Sequence, residues 1–227
     1  MNLKNNYYYF QSALTPKLCD EILQYGKSFQ SEMAVTGNAK NEKNISKKTG
    51  KIKKTVIKNI QKKRKSDIVW LDDSWIYKEI HPYVREANQK AGWNFDWDWS
   101  ESCQFTKYGV GDYYGWHTDS WDKPYIRKQN ENGTWPPDHG KIRKISMTIS
   151  LSHPDEYEGG NFEVDLRNNT DPEDIKKKNR KSVIEVKEIR PRGSVIVFPS
   201  FVWHRVAPVT KGTRYSLVVW NLGHPFR

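Results

Sequence analysis

His117, Thr118 and Asp119 put an imidazole and a carboxylate two residues apart. In a β-strand, residues i and i+2 leave the same face, so the two side chains aim at one point. A second imidazole, His204, lies far along the chain, just beyond the apolar run 195–198. Two histidines and one carboxylate form a facial triad, which grips Fe(II) on one side and leaves three positions open for substrate atoms and dioxygen. Ten residues after His204 comes Arg214, across a stretch (HRVAPVTKGTR) that reads as strand, turn and returning strand. A hairpin symmetric about residue 209 sets residues 204 and 214 directly opposite, with Cβ atoms about 5 Å apart. A guanidinium there sits further out than the metal and suits a bidentate pair with a carboxylate. A co-substrate that chelates iron at one end and carries a second carboxylate at the other would bridge them; 2-oxoglutarate has that shape. Ser216 leaves the same face as Arg214 and can add a hydrogen bond.

The elements needed to hold these residues are legible in outline. Thr15-Pro16 reads as an N-cap and first helical residue, with Leu18, Ile22 and Leu23 at helical spacing, which predicts a helix over about 15–30. Residues 66–71 (SDIVWL) read as a short strand. Asp72, Asp73 and Ser74 can cap a second helix carrying Trp75, Ile76, Ile80, Val84 and Ala87 and ending near Gly92. From Phe95 onward the period becomes two. Ile145, Met147, Ile149 and Leu151 alternate with Ser146, Thr148, Ser150 and Ser152, the pattern of a half-buried strand. Residues 193–199 and 214–220 add further strands. Helices followed by an all-β block predict a helical flank on a double-sheet barrel: mainly β with flanking helices. We therefore expect a flank over 1–92 and a jelly-roll domain over 93–227. Residues 168–182 read as a polar surface loop, and 120–140 as a candidate lid next to the first two ligands.

Composition narrows the class. Among 227 residues, Trp numbers 10 and Tyr 12, too many aromatic residues for a disordered chain. Mean hydropathy is −0.90, and no apolar run approaches the roughly 18 residues a membrane span needs. Two cysteines exclude a disulfide scaffold, and with no visible signal peptide they predict a reducing, cytoplasmic setting. Net charge is +11, and residues 40–67 hold twelve basic residues against two acids, which accounts for nearly all of it. That segment, expected as a loop over about 36–66, is nearly free of aromatic residues for stacking bases, which disfavours a nucleic-acid partner.

Three stretches carry a resemblance to a known family: 105–119 (FTKYGVGDYYGWHTD), 143–164 (RKISMTISLSHPDEYEGGNFEV) and 197–220 (VFPSFVWHRVAPVTKGTRYSLVVW). They resemble the Fe(II)/2-oxoglutarate-dependent dioxygenases, in particular the prolyl 4-hydroxylase-like branch and the PKHD-type hydroxylases. The resemblance implies a double-stranded β-helix, or jelly roll. It implies iron held by His117, Asp119 and His204, with 2-oxoglutarate and O2 as co-substrates and ascorbate as reductant. Arg214 would pair with the distal carboxylate of 2-oxoglutarate, and Tyr108 matches a family tyrosine near that co-substrate. No catalytic residue beyond the metal ligands is implied. The implied substrate is a peptidyl residue. A free amino-acid-like molecule is the alternative, and further off stand a nucleic-acid demethylase and a non-catalytic binding module. Prolyl 4-hydroxylases proper usually carry Lys where Arg214 stands, which favours the PKHD-like branch. The demethylase branch carries a second Arg six residues after the first, and here that position is Trp220.

Overall fold

The computed structural model describes residues 3, 5–35, 42–46, 49–120, 123–166 and 182–226. The first part of the chain supplies β1 (Tyr8–Phe10), α1 (Pro16–Lys27), β2 (Glu32–Met33), α2 (Lys54–Gln61), β3 (Arg64–Lys65), β4 (Asp67–Leu71) and α3 (Ser74–Lys90). Thr15 caps α1 by accepting from Leu18 N, with Pro16 at the first position. Gly92, at φ +74°, follows α3 where a left-handed residue ends a helix. The segment expected as loop over 36–66 therefore contains α2 and β3. The expected flank over 1–92 is helical in part and also lends β1, β2 and β4 to one sheet and β3 to another.

The remaining strands are β5 (Trp99–Ser100), β6 (Cys103–Tyr108), β7 (Tyr113–His117), β8 (Ile142–Ser150), β9 (Tyr157–Gly159), β10 (Phe162–Asp165), β11 (Val183–Glu185), β12 (Val195–Pro199), β13 (Trp203–Val206), β14 (Val209–Gly212) and β15 (Arg214–Gly223). An eight-stranded sheet runs β1-β12-β8-β15-β6-β4-β2, with β5 also on β15. A five-stranded sheet runs β11-β10-β13-β7-β3, and β14 pairs with β9 at one corner. Every pairing is antiparallel, and the chain is mainly β with flanking helices, a jelly roll.

The large sheet buries both faces. Ile145, Met147, Ile149, Leu217 and Val219 pack with Ile22 of α1 and Ile76, Ile80 and Val84 of α3. The other face looks at the small sheet. Along it, Thr106, Ser216 and Ser150 stand in one register row across β6, β15 and β8. This corrects the half-buried reading of β8: its serines and Thr148 are buried too, because they line the interior between two sheets rather than meet water. The alternation of residues 95–100 becomes strand only at Trp99–Ser100.

One irregularity re-aims a charge. Trp220 pairs with Ser146 and Asn221 with Ile145, but Leu222 pairs with Arg143, so β8 carries one extra residue at Lys144. Such a bulge shifts the alternation beyond it. Arg143, which simple alternation would put among the isoleucines, instead lays its guanidinium 3.8 Å over the Trp220 ring. Residues 123–141 fold back on themselves through Tyr125 N to Lys141 O (2.9 Å) and Gly140 N to Tyr125 O (2.8 Å). The loop expected over 168–182 falls almost wholly outside the described residues. Among the described residues no helix is long and apolar enough to cross a membrane.

Candidate metal centre

His117 ends β7, and His204 pairs with it in register on β13. Asp119 lies two residues beyond the strand end rather than within a strand as expected. It is held there by its own N–H donating to Ser200 O (2.8 Å) and by the next residue's N–H donating to the same oxygen (2.9 Å). The three side chains nonetheless converge: their ligating atoms all lie within 4.8 Å of one another. Asp119 Oδ1 is 3.6 Å from His117 Nε2, and Oδ2 is 3.5 Å from His204 Nε2.

The donor set suits a metal. A carbonyl can only accept, so the contacts of His117 Nδ1 to Gly115 O (2.8 Å) and His204 Nδ1 to Val202 O (2.9 Å) place the proton on Nδ1 in both rings. In the neutral ring each Nε2 then carries the lone pair, on the side where the three ligating groups gather. Second-partner bonds of this kind orient metal-binding imidazoles. Asp119 is oriented in turn: Ser146 Oγ donates to Oδ2 (2.8 Å), and Ser200 Oγ lies 2.9 Å from Ser146 Oγ. Adjacent ligands about 2.1 Å from a cation would stand roughly 3 Å apart, close to the spacing seen.

Electrostatics leave the set ready to ligate. Burial, with the neighbouring His204, drives the His117 pKa down to about 3, so its imidazole is neutral at pH 7. Burial pushes Asp119 up, but His204, His117, Arg143 and the Ser146 hydroxyl outweigh it and hold the carboxyl below its ordinary value. Rings close the rest. Tyr114 stacks on His117 with centroids 3.5 Å apart, and Phe198 meets His204 edge-on at 4.7 Å.

Arg214 is the other half of the constellation, and its position corrects the hairpin reading. It is not opposite His204. It starts β15 in the large sheet, paired with Tyr108 of β6, whereas His204 belongs to the small sheet. The turn between them carries a strand of its own, β14, which pairs with β9. Both residues are buried and face the interior between the two sheets. Arg214 is buried, and its one hydrogen bond to a described residue is a long one, from Nη1 to Ser216 Oγ (3.3 Å). No ion pair joins it to a described carboxylate. Gly160 leaves it room, since a Cβ there would sit 3.0 Å from Arg214 Cδ. The Tyr108 ring lies beside it, centroid 5.5 Å from Cζ. Ser150 was not anticipated. Its hydroxyl is buried with no hydrogen-bond partner among the described residues, it is in register with Ser216, and it lines the same small cavity as Arg214. A buried guanidinium without a carboxylate, beside an unused hydroxyl, fits an absent dianion. The sequence signal for Ser150 was its place in the alternation, two positions from Thr148, on the polar face of a strand expected to be half-buried.

The 2OG-Fe(II) oxygenase superfamily matches residues 103–221. Curated relatives include a PKHD-type hydroxylase of Hyphomonas neptunium, 31% identical over 114 residues (49% of this chain, 38% of the relative), and one of a Synechococcus species, 34% identical over 120 residues (52% and 40%). The matched stretch therefore spans well under half the length of these relatives. Among solved structures, a collagen prolyl hydroxylase of Paramecium Bursaria Chlorella virus-1 superposes with a TM-score of 0.56 at 16% identity, covering 97% of both chains. A prolyl-4-hydroxylase of Pseudomonas putida gives 0.56 at 17% identity, covering 96% of this chain and 92% of its own. These neighbours share the fold.

Proposed function

This chain belongs to the 2OG-Fe(II) oxygenase superfamily, and from that membership we propose that it is an Fe(II)- and 2-oxoglutarate-dependent dioxygenase. We place it functionally with the prolyl 4-hydroxylase-like and PKHD-type hydroxylases, with a peptidyl residue as substrate. The observation that carries the reading is the pairing of a converged His–Asp–His set with a buried, carboxylate-free arginine across the same interior. One of the structural neighbours, from Trichoplax adhaerens, is a prolyl hydroxylase in complex with a peptide fragment, which supports a peptide as the class of substrate.

Iron bound with 2-oxoglutarate would use O2 to place one oxygen atom in a substrate C–H bond and the other in succinate, with release of CO2. The protein's part is to hold and orient. His117, His204 and Asp119 supply three ligands on one side and leave the opposite side to reactants. Ser146 and Ser200 keep the Asp119 carboxylate in one rotamer. Arg214, with Ser216 and Ser150, receives the distal carboxylate, and Tyr108 packs alongside. Phe162, Phe198 and Val206 keep that interior dry. We assign this work to residues 93–227, with 1–92 as a flank. Cys19 and Cys103 are buried free thiols, in keeping with a cytoplasmic setting.

The test is a turnover assay on the purified protein with Fe(II), 2-oxoglutarate and ascorbate, read as succinate, beside a peptide panel read for a gain of one oxygen by mass spectrometry. We expect iron-dependent succinate and hydroxylation of a panel member. A protein that binds no iron and forms no succinate would contradict the assignment.

A further inference from the structure

Arg64 lies outside the stretch matched to the superfamily, in the Lys-rich segment, yet it is buried. It pairs in register with Tyr114 as β3 adds to the edge of β7. The register is held by Gly115 N donating to Lys63 O (2.7 Å) and by Lys65 pairing with Asp112 (2.8 Å). From that edge the Arg64 side chain crosses the interior. Nε donates to Ser66 Oγ (2.9 Å), Nη2 donates to Gln104 Oε1 on β6 (2.6 Å), and the guanidinium lies 4.5 Å from the centroid of Tyr114, the ring stacked on His117. Two of its five N–H groups are used. No ion pair joins it to a described residue.

A second donor stands on the same side, two residues along β15 from Val218, the register partner of Gln104. Trp220 is in register with Ser146, which holds Asp119, and its indole Nε1–H is buried with no hydrogen-bond partner among the described residues. An indole N–H can only donate, and burying it unpaired is costly. Trp70, in register with Gln104 and exposed at 44%, sits 6.2 Å from Trp220 and forms the rim. Every residue of β7 is partly exposed while β12 is wholly buried, so the triad is approached from the side of β7, Arg64 and Trp70.

These donors do not serve the co-substrate. Arg214 and Trp220 are six residues apart on β15, roughly 20 Å of extended strand, and a five-carbon diacid anchored at Arg214 ends at the triad. Charge points the same way. The Arg143 guanidinium is neutralised by Glu101, and both imidazoles donate lone pairs. A divalent cation, Asp119, a dianionic co-substrate, Arg214 and Arg64 together leave one positive charge uncompensated in a low-dielectric chamber.

We infer that Arg64 and the Trp220 indole bind a carboxylate of the substrate, so that the molecule oxidised is a monoanion presenting a free carboxylate near its reacting carbon. This rests on the dioxygenase reading and adds the substrate class to it. A planar guanidinium with unused N–H groups matches a carboxylate in a way that Lys could not reproduce. The carboxylate could belong to a free or N-acylated amino acid, to a peptide C-terminus or to an acidic side chain.

The experiment is a titration of 15N-Trp-labelled protein, loaded with Zn(II) and 2-oxoglutarate so that nothing turns over. The probes are N-acetyl amino acids and their amides, C-terminal acid and amide forms of one peptide set, and the same set with and without an internal Asp or Glu. The arm that responds identifies the source of the carboxylate. We expect the acid form of the responding probe to bind at least about tenfold more tightly than its amide, with movement of the Trp220 indole resonance. R64Q should bring the acid-to-amide ratio near one. W220F, which keeps an aromatic ring but removes the indole N–H, should lower that ratio about threefold, and it carries the test if R64Q does not fold. A purely structural role for Arg64 would weaken acid and amide equally and leave the ratio unchanged, which overturns the inference. So do equal affinities of acids and amides in the wild-type protein, or a panel with no carboxylate-dependent shift. Absence of succinate from the iron-loaded protein would sink the dioxygenase reading instead, and this titration, which needs no turnover, would still be read as above.

Discussion

On β8 and β15, Ile145, Met147, Ile149, Leu217 and Val219 face the helices, while their neighbours Ser146, Thr148, Ser150, Arg214 and Ser216 face the small sheet. Burial does not distinguish the two sets: Met147 and Ser146 are both 0% exposed. What differs is the partner. The helix-side residues meet hydrocarbon and are held by dispersion and water exclusion. The interior residues meet each other, a carboxylate and imidazoles, and two of their polar groups have few or no protein partners. A polar surface buried at this density and incompletely paired is costly for a fold alone, so it marks where the molecule is built for something it binds. The helix-side face should therefore answer to stability measurements, and the interior face to binding measurements.

The sharpest way to break that contrast is Asp119→Ala. It removes the anionic ligand of the proposed triad and should lower iron affinity by about 100-fold or more, taking succinate formation to background while the melting temperature holds; metal analysis and calorimetry check both halves. Met147→Ala, one position from the Ser146 that orients Asp119, should do the reverse, costing about 2–5 kcal/mol of stability with little change in the KM for 2-oxoglutarate. A urea midpoint that did not move would mean that the helix-side face is not the stabilising one.

Arg214→Ala should raise the KM for 2-oxoglutarate far more than it lowers kcat, by an amount worth about 2–5 kcal/mol. Unchanged co-substrate affinity would remove Arg214 from its proposed role. Acidification tests the interior without mutation. The folded pKa of His117 is lowered, so between about 3 and the ordinary imidazole value the unfolded chain binds a proton that the fold refuses. The stability this contributes is present above about pH 6.5 and lost as pH falls, by about 2 kcal/mol at pH 5. Metal-free wild-type protein should show that slope in denaturant midpoints between pH 7.5 and 5, and His117→Phe should flatten it. The smallest expected effect is Ser150→Ala, which removes one hydroxyl from the proposed carboxylate site. Loss of one hydrogen bond to a charged group is worth about 1.5–3 kcal/mol at most; the KM for 2-oxoglutarate should rise several-fold with stability unchanged or slightly gained.

How much of this was legible depends on whether a residue's role follows from its neighbours in sequence. The α1 cap at Thr15-Pro16 and the end of α3 at Gly92 were readable because capping is decided within a few residues. His117, Asp119 and His204 were readable as candidates because spacing and residue type together suggest ligation. The hairpin that was to set residues 204 and 214 opposite was not readable. Nothing local reveals that Val209–Gly212 pairs with Tyr157–Gly159 instead.

The sequence by itself determined which residue types alternate along β8 and β15, roughly where α1 and α3 start and stop, and which side chains can ligate iron, since those follow from the 2.0 and 3.6 residue periods, local capping and side-chain chemistry; α2, within the segment expected as loop, was not among them. Only the tertiary structure decided what covers each face. Alternation says that Ser146, Thr148 and Ser150 share a side of β8, but not that a second sheet rather than water lies there. The extra residue at Lys144, the crossing of Arg64 to Gln104 and the orphaned Ser150 hydroxyl all depend on register between strands distant in the chain. That register is set by the packing of the whole sandwich and leaves no mark in any short window of residues.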